Sequence, residues 1–334
     1  MRAPGFWQRP PGAPGLWPRL LAPLAALYAA GTARRLAQGR ATAHRAGVPV
    51  ICVGNLGAGG AGKTPTTLAL IDRLSARGIA AHVVSRGHGG RLAGPVRVDD
   101  RRHRAGQVGD EPLLIAPFAP VWVARDRAAG VRAAEAAGAQ AILLDDGFQN
   151  PAVVQDLALV VVGAARGFGN GRVIPAGPLR EPVAVGLARA DMLLSIGPPS
   201  AQSAFDTLWG PAVAHLPRLR GEMRPLQTGM SWTGLRALAF AGIAYPEQFF
   251  ASLRAMGADV VRTQPLDDHQ PLTEPLMARL MAEARSLGAQ LVTTEKDAAR
   301  LPPRLRPQVL TLPVRLTMTE DTALQTALDL LFPG

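Results

Sequence analysis

Short apolar runs alternate with longer amphipathic stretches along the chain after residue 47. The runs predict buried strands, and the stretches between them have the length of helices. Two such stretches, Pro65–Ala76 and Arg127–Ala137, are followed by Gly78 and Gly138, residues that suit helix C-termini. The strands predicted in this part are Val48–Val53, Ala81–Ser85, Val121–Ala124, Ala141–Leu144, Leu157–Val162 and Met192–Ile196. The alternation predicts a mostly parallel sheet with crossover helices.

The pattern is less regular between 198 and 231, where only Val213–Leu219 suggests a strand, and it resumes afterwards. The later predicted elements are the strands Ala237–Ala241, Val260–Thr263, Leu291–Thr294 and Val309–Val314, and the helices Pro246–Met256, Glu274–Leu287 and Thr322–Leu331. We therefore predict four regions: an N-terminal segment (1–47), an α/β domain (48–210), a linker (211–235) and a smaller C-terminal α/β domain (236–334).

The N-terminal segment is apolar and basic. Its charge-free stretch, Leu20–Ala33, is shorter than the roughly 20 residues that a membrane-spanning helix needs. We predict an amphipathic helix that lies on an anionic membrane surface, with Trp7, Trp17 and Tyr28 at headgroup depth and arginines on lipid phosphates. The alternative is a helix that packs on the core and turns an arginine-rich face to solvent.

The distribution of charge and the number of cysteines exclude some types of protein and site. The formal net charge is +11, and the first 50 residues contain seven arginines and no acidic residue, so most of the excess positive charge lies at the N-terminus. Aromatic residues make up 5% of the chain and no basic-aromatic stripe follows, which disfavours a nucleic-acid binder. The single cysteine, Cys52, excludes an internal disulfide and a zinc site built from several cysteines, and it suits a reducing compartment.

A glycine-rich motif between a predicted strand and a predicted helix carries the main chemical signal. Residues 57–64 fit the pattern G-x-x-x-x-G-K-[ST], in which backbone N–H groups hold phosphates, the lysine reaches the β- and γ-phosphates and the hydroxyl holds Mg²⁺. Lys63 is one of only two lysines in the chain, the other being Lys296. The predicted nucleotide-binding residues of this P-loop are Gly57, Ala58, Gly59, Gly60, Ala61, Gly62, Lys63 and Thr64.

A second acidic element follows the strand Ala141–Leu144. Asp145 and Asp146 stand where a P-loop protein needs a carboxylate to order Mg²⁺ and a water molecule. Adjacent acids after a strand are also ordinary turn formers, but their combination with the P-loop favours a metal site. The predicted fold class is therefore α/β, with a P-loop NTPase core, a smaller C-terminal α/β domain and an N-terminal amphipathic membrane-surface helix.

Further motifs occur in an order that resembles one enzyme family over nearly the whole chain. They are Gly54-Asn55-Leu56, Ser85-Arg86-Gly87, Gly109-Asp110-Glu111-Pro112, Asp145-Asp146-Gly147-Phe148-Gln149, Pro175–Glu181, Ala239–Ile243, Asp268-His269 and Thr294-Glu295-Lys296-Asp297. The series is similar to that of tetraacyldisaccharide 4'-kinases, the lipid A 4'-kinases of Gram-negative bacteria. Two positions, His88 and Asn150, depart from the aromatic residue and the histidine that are common there.

The resemblance implies an activity, a location and partners. It implies ATP- and Mg²⁺-dependent phosphorylation of the 4'-hydroxyl of a tetraacylated glucosamine disaccharide 1-phosphate, which yields a lipid A precursor. The location implied is the cytoplasmic face of the bacterial inner membrane, where the enzyme is peripheral. The partners implied are the acylated disaccharide and an anionic membrane surface, without nucleic acid, and we expect a monomer.

The resemblance also implies roles for individual residues. Asp110 would act as the catalytic base together with His269, while Lys63 and Asp146 complete the catalytic set. With Thr64, Asp145 and Asp146 predicted from the motifs above, the resemblance adds Glu181 to the metal ligands. Thr294 and Lys296 are predicted nucleotide contacts because the segment 294–297 follows a predicted strand and is similar to the base-reading loops of GTP-binding proteins, without their leading asparagine. Candidate substrate contacts are Asn55, Arg86, His88, Arg127 and Arg180, although Arg127, at the start of a predicted helix, could instead face water.

Other roles for these residues remain open from the sequence alone. Asp110 could cap a helix N-terminus, His269 could be a loop residue, and Arg180 and Glu181 could form a loop ion pair. Two other functions are also open. A nucleotide-driven switch or assembly ATPase would hydrolyse ATP without an acceptor, whereas a soluble small-molecule kinase would have a purely structural N-terminal helix.

Overall fold

The computed structural model describes residues 4–268, 270–302 and 304–333. Its larger sheet has nine strands in the order β13-β8-β7-β6-β1-β5-β2-β4-β3. Their bounds are β1 Val50–Gly54, β2 Ala81–Ser85, β3 Val96–Arg97, β4 Val121–Val123, β5 Ala141–Asp145, β6 Leu157–Gly163, β7 Met192–Ile196, β8 Arg218–Pro225 and β13 Val314–Glu320. The strands from β8 to β4 run parallel, and the edge strands β13 and β3 pair antiparallel. This confirms the predicted α/β class with a mostly parallel sheet.

Helices cover both faces of this sheet and enclose two apolar cores. The helices of this part are α1 Leu16–Leu20, α2 Ala22–Arg40, α3 Lys63–Ala76, α4 Ala105–Val108, α5 Asp110–Ile115, α6 Arg127–Ala136, α7 Val183–Leu187, α8 Pro199–Val213 and α12 Thr322–Leu331. Residues of α3, α5 and α12 contribute to one core, and residues of α6 and α8 to the other. Strands buried on both faces explain why the sequence shows continuous apolar runs rather than alternation.

The smaller sheet has four parallel strands in the order β10-β9-β11-β12. Its elements are β9 Arg236–Ala241, α9 Pro246–Ala255, β10 Asp259–Pro265, α10 Glu274–Ser286, β11 Gln290–Thr294, α11 Glu295–Arg300 and β12 Leu310–Leu312. Its two faces carry separate apolar cores, one with residues of α9 and the other with residues of α10. The helix α11 contacts α5 of the larger unit.

The structure differs from the sequence prediction between 199 and 225. This segment, expected to be irregular and partly a linker, forms α8 and β8. Pro211 lies inside α8, and β8 alternates charged and apolar residues, so neither element has the apolar run by which the other strands are recognised. The end of the predicted C-terminal domain also departs from expectation, because β13 leaves the smaller sheet and pairs with β8.

The N-terminal segment packs against the larger unit on one side only. Ala25, Thr32 and Leu36 of α2 are buried, whereas several apolar residues of α1 and α2 are exposed. Trp7, predicted at headgroup depth, is instead half-buried, and its indole Nε1 donates to Pro175 O (3.1 Å). Within the described ranges, no helix is both long and apolar enough to cross a membrane.

Candidate active site

Glycines shape the loop between β1 and α3. Gly59 and Gly62 have φ values of +133° and +94°, a region that residues with side chains disfavour. A Cβ on Gly62 would also lie 2.5 Å from Ile196 Cδ1, so β7 leaves no room for a larger residue. The base of the loop is fixed by Ala58 N, which donates to Pro178 O (2.7 Å). The loop leads into the N-terminus of α3, where backbone N–H groups favour phosphate.

Lys63 begins α3, and its side chain reaches the ends of β1 and β5. Its Nζ lies 3.5 Å from Asn55 Oδ1 and 3.7 Å from Asp146 Oδ1. Asn55 also donates its Nδ2 to Gly59 O (3.1 Å) and is buried. The sequence suggests Asn55 as a substrate contact, but in the structure it braces the P-loop and its lysine.

The first carboxylate at the end of β5 is buried. Asp145 accepts a hydrogen bond from Ser85 Oγ at Oδ2 (3.2 Å), whereas its Oδ1 has no hydrogen-bond partner in the described part of the chain. Burial and the nearby Glu111 carboxylate raise the pKa of Asp145 to about 7. An unpartnered buried carboxylate oxygen is costly, so this site suits a cation.

Because Asp145 has an unpartnered buried oxygen, the residues beside the P-loop fit a bound Mg²⁺ ion. Thr64 is buried next to Lys63, at the position whose hydroxyl binds the cation in P-loop proteins. Among residues 4–268, 270–302 and 304–333, no cluster of three or more His, Cys, Asp or Glu side chains could hold a metal alone. Mg²⁺ takes one or two carboxylates together with substrate phosphates and water, and Asp145 supplies one such carboxylate.

The second carboxylate, Asp146, adopts a left-handed backbone with φ 53°. Such a conformation in a non-glycine residue is often found at functional sites. Arg180 Nη1 and Nη2 donate to its two oxygens at 3.0 and 3.3 Å. Although burial opposes ionisation, Lys63 and Arg180 lower the pKa of Asp146 below its ordinary value. Asp146 is thus a fixed negative charge between two cations.

Polar contacts continue from Arg180 to a buried ion pair. Arg180 Nη1 donates to Gln149 Oε1 (3.2 Å), and Gln149 Nε2 donates to Glu181 Oε1 (3.0 Å). Glu181 is 2% exposed, and Arg189 Nη2 lies 2.6 Å from both of its carboxylate oxygens. Both oxygens of Glu181 are therefore engaged by Arg189, and the metal role suggested for Glu181 stays a prediction.

Sequence reasoning missed Arg189. Its Nη1 donates to Phe148 O (3.2 Å), and its guanidinium lies 4.4 Å from the centroid of the Phe148 ring. It therefore fixes the segment that follows Asp145 and Asp146. No motif marks this arginine in the sequence, since its pairing with Glu181 depends on the fold of the loop between them.

Asp110 begins α5 and is 5% exposed. Its Oδ1 accepts from Glu111 N (3.1 Å), and its Oδ2 lies 4.0 Å from Arg300 Nε. Glu111 was not singled out in the sequence, yet its charge acts on Asp145. Glu111, the residue that follows the predicted base, is therefore near enough to the acidic end of β5 to influence it electrostatically. Its predicted partner, His269, lies outside the described residues.

The segment 294–297 has structural roles. Thr294 caps α11 by accepting from Asp297 N (3.1 Å) at its hydroxyl. Lys296 Nζ lies 3.9 Å from Glu111 Oε1 and 3.6 Å from Asp268 Oδ1. Lys296 therefore joins the smaller unit to α5, while the nucleotide contact predicted for Thr294 and Lys296 stays a prediction.

The remaining predicted substrate residues differ in accessibility. Arg86 and His88 are exposed in the loop that follows β2. Arg127 is 3% exposed, and it donates to Ala124 O (3.0 Å) and Asp145 O (3.2 Å). This geometry fixes the end of β5, and the substrate contact suggested for Arg127 stays a prediction.

One contact between the two units was not anticipated. The Arg166 guanidinium, in the loop after β6, lies 3.4 Å from the centroid of the Tyr245 ring, which follows β9. The adjacent Ala244 approaches the P-loop, since a Cβ on Gly60 would lie 3.7 Å from the Ala244 Cβ. The smaller unit therefore lies beside the P-loop.

Comparison with known proteins agrees with the resemblance noted in the sequence. The family model for tetraacyldisaccharide-1-P 4'-kinase matches residues 17–332. A tetraacyldisaccharide 4'-kinase of Dinoroseobacter shibae is 70% identical over 334 residues, covering 100% of this chain and 98% of that protein. A protein of the same name from a Jannaschia species is 58% identical, covering 98% of each chain.

A solved structure shares the fold. It is a crystal structure of LpxK from Aquifex aeolicus in complex with ATP, with a TM-score of 0.75 and 24% sequence identity. The alignment covers 95% of this chain and 100% of the solved one. The described architecture, including the smaller second unit, is therefore that of a known protein.

Proposed function

The chain belongs to the tetraacyldisaccharide-1-P 4'-kinase family and is a phosphotransferase of lipid A biosynthesis, and from this premise we propose how its own residues carry out the transfer from ATP to the 4'-hydroxyl. The observation that carries the proposal is the position of Lys63 Nζ, 3.7 Å from Asp146 Oδ1 at the mouth of the glycine loop. A compact cation at this position supports the binding of phosphates by the loop.

Phosphoryl transfer depends mainly on positioning and charge stabilisation. The backbone N–H groups of the P-loop and the N-terminus of α3 bind the phosphates, and Lys63 stabilises charge that develops on the transferred group. Thr64 and Asp145 are the residues that would hold Mg²⁺, which neutralises phosphate charge when bound. Asp146, held by Arg180, keeps Lys63 aimed at the loop.

Asp110 is the group that we propose as the base. A sugar hydroxyl is a poor nucleophile at neutral pH and benefits from a carboxylate that accepts its proton. Asp110 is buried at the start of α5, and its neighbour Glu111 acts electrostatically on Asp145. We propose that an acceptor held beside Asp110 faces the transferred phosphoryl group.

We also propose that α1 and α2 lie on the cytoplasmic face of the inner membrane. Their exposed apolar residues are Leu16, Trp17, Leu20, Leu24, Leu27 and Tyr28, with exposures from 41% to 71%. Exposed leucines at helical spacing with nearby arginines suit a bilayer surface. A cavity of about 240 Å³ lies between α2 and α7, lined mainly by small apolar side chains, and it offers space for part of an acyl chain.

The test is mass spectrometry of the acceptor after incubation with Mg-ATP. We expect one added phosphoryl group on the tetraacylated disaccharide 1-phosphate, and ADP release only when acceptor is present. Steady hydrolysis without acceptor would instead indicate the switch or assembly ATPase. Equal turnover of a disaccharide without acyl chains would indicate a soluble small-molecule kinase. An acceptor blocked at the 4'-hydroxyl is the matched control and must remain unmodified.

A further inference from the structure

Arg189, which follows α7, contacts two different segments beside the P-loop. Its Nη2 lies 2.6 Å from both carboxylate oxygens of Glu181, and its Nη1 donates to Phe148 O (3.2 Å). The guanidinium also covers the Phe148 ring, 4.4 Å from the ring centroid. The side chains of Arg189 and Glu181 are 16% and 2% exposed. One planar group therefore fixes a carboxylate, a carbonyl and a ring at the same time.

The stability of the fold does not by itself account for this ion pair. Removing two charges from water is costly, and a buried ion pair often contributes no more than a well-packed apolar pair of similar volume. Apolar packing is available at this place, since Leu56, Phe148 and Leu187 are buried in the same core. The polar pair is better explained by the groups that it holds in position.

One route from Arg189 to the P-loop leads through Phe148. Phe148 is 1% exposed, and it packs so closely on Gly54, the last residue of β1, that a Cβ on Gly54 would overlap the Phe148 Cβ. Asn55 follows Gly54, and its Oδ1 lies 3.5 Å from Lys63 Nζ. A shift of Phe148 would therefore displace the residue that contacts Lys63.

A second route leads through Glu181 and Gln149. Gln149 Nε2 donates to Glu181 Oε1 (3.0 Å) and to Asn55 O (2.8 Å). Gln149 Oε1 accepts from Arg180 Nη1 (3.2 Å), and the Arg180 guanidinium holds both oxygens of Asp146. Both the oxygen and the nitrogen of the Gln149 amide are therefore in use, and Glu181 fixes which way this amide points.

We propose that Arg189 is a positioning residue for phosphoryl transfer, which sets Lys63 and Asp146 through Phe148 and Glu181. This inference rests on the proposed function, in which Lys63 stabilises charge on the transferred group. A displacement of about 1 Å at a reacting group can cost roughly 100-fold in rate. A residue that stands behind Lys63 and Asp146 can therefore control the rate of transfer.

The experiment compares Arg189→Gln with the wild type and with Arg218→Gln. Arg218 is a matched control, because its side chain is 18% exposed, pairs with Asp206 (2.7 Å) and lies 4.8 Å from the centroid of the Phe205 ring. Both variants should lower Tm, since each removes one partner of a partly buried ion pair. Only Arg189→Gln should also lower kcat, by about 10- to 100-fold at saturating Mg-ATP and acceptor.

A transition-state analogue gives a readout that does not depend on turnover. ADP with aluminium fluoride and Mg²⁺ mimics the planar transferred group, and calorimetry measures its affinity. In Arg189→Gln the affinity for this analogue should fall by about the same factor as kcat, while Kd for Mg-ATP changes far less. An equal loss for the analogue and for Mg-ATP would overturn the proposal, because it would show general damage to the nucleotide site.

Arg189→Lys separates charge from geometry, and it keeps the test decisive if Arg189→Gln does not fold. Lysine leaves a cation near Glu181, but a single ammonium cannot hold both Glu181 oxygens and the Phe148 carbonyl. Its Tm should lie closer to that of the wild type, while its kcat stays about 10-fold or more below the wild-type value.

Two results in these variants would make the ion pair purely structural and overturn the proposal. One is a kcat of Arg189→Lys that returns to the wild-type value together with Tm. The other is a wild-type kcat in folded Arg189→Gln. Absence of phosphoryl transfer by the wild type would instead contradict the proposed function, whereas analogue binding needs no acceptor and tests the role of Arg189 alone.

Discussion

Asp110 Oδ2 and Arg300 Nε lie 4.0 Å apart, and both side chains are almost completely buried. Asp110 begins α5 beside the larger sheet, whereas Arg300 ends α11 of the smaller unit. Arg300 also donates to Gly242 O (2.9 Å) and pairs with the buried Asp297. The proposed base therefore has a cation supplied by the smaller unit, so its electrostatic environment depends on how the two units meet.

Arg300→Gln should destabilise the protein. Asp297 is fully buried, and removing one partner of a buried ion pair costs about 3 to 5 kcal/mol. Differential scanning calorimetry should show a clearly lower Tm. The double variant Arg300→Gln/Asp297→Asn should recover part of the loss, because the amide can still accept from Gly242 N without an unpaired charge. No recovery in the double variant would contradict this account.

Asp110→Asn should lower kcat by roughly 10²- to 10⁴-fold, the range for losing general-base assistance, with little change in KM for ATP. Asparagine still caps a helix, so a role in capping predicts almost no loss. Asp126→Asn is the matched control. Asp126 caps α6 by accepting from Ala129 N (3.1 Å), and its replacement should leave kcat unchanged. Normal turnover of Asp110→Asn would falsify the base assignment.

Lys63→Ala should abolish turnover, since the phosphoryl group loses its principal cation while the apolar cores stay intact. Lys63→Arg should fail almost as severely, because a wide guanidinium does not fit a pocket shaped by an ammonium 3.5 Å from Asn55 Oδ1. Coupled ADP assays measure both variants. Lys296→Ala removes the other lysine of the chain, which lies at the interface between the two units, and serves as the control. It should retain far more activity than Lys63→Ala.

Local signals in the sequence predicted the elements that are continuous in the chain. The strand, glycine loop and helix around Lys63 are consecutive, and the same holds for β5 and its two terminal carboxylates. The resemblance added Asp110. Local sequence patterns and family motifs both concern short segments whose function can be predicted from their residue types.

Relationships that depend on distant segments were not predictable. The pair Glu181–Arg189 and the contact of Arg166 with Tyr245 form only when loops from different strands meet. Pairing of β13 with β8 likewise returns the end of the chain to the first sheet, which no local pattern indicates. Arg127 was a candidate substrate contact that could also face water, yet its guanidinium is buried and donates to two backbone carbonyls.

Acid should weaken the attachment of the C-terminal helix. A hydrogen bond from Arg73 Nη2 (2.8 Å) lowers the pKa of Asp321 below its ordinary value of 3.8. A carboxyl with a lowered folded-state pKa stabilises the protein above pH 3.8, and this contribution is lost as the pH falls through the folded-state pKa. Asp321→Asn should therefore lower the free energy of unfolding at pH 7 by about 0.2 to 1 kcal/mol. Urea denaturation at several pH values should show this difference vanish in strong acid, and a difference independent of pH would contradict it.

The membrane surface proposed for α1 and α2 can be tested without disturbing their packed side. Leu20, Leu24 and Leu27 are 60%, 55% and 71% exposed, so changing all three to serine leaves the buried residues of α2 in place. A leucine side chain contributes about 2 kcal/mol when fully withdrawn from water, and the nearby arginines add about 1 kcal/mol each on an anionic surface. The triple variant should therefore float poorly with anionic vesicles and show a raised KM for acceptor in a bilayer.

The membrane-contact and core-packing hypotheses for α1 and α2 also predict different values of Tm, detergent-phase turnover and salt dependence. On the membrane account, Tm and turnover of a detergent-dispersed acceptor stay near wild type, and the remaining vesicle binding weakens with salt because the arginine contribution is screened. Leu330→Ser, which removes a leucine 78% exposed on α12, is the control and should leave flotation unchanged. If α1 and α2 serve only to pack on the core, the triple variant keeps wild-type flotation, or loses Tm and activity in every assay format. Either of these results would reject the membrane surface, because the three leucines would then contribute to the fold and not to a bilayer contact.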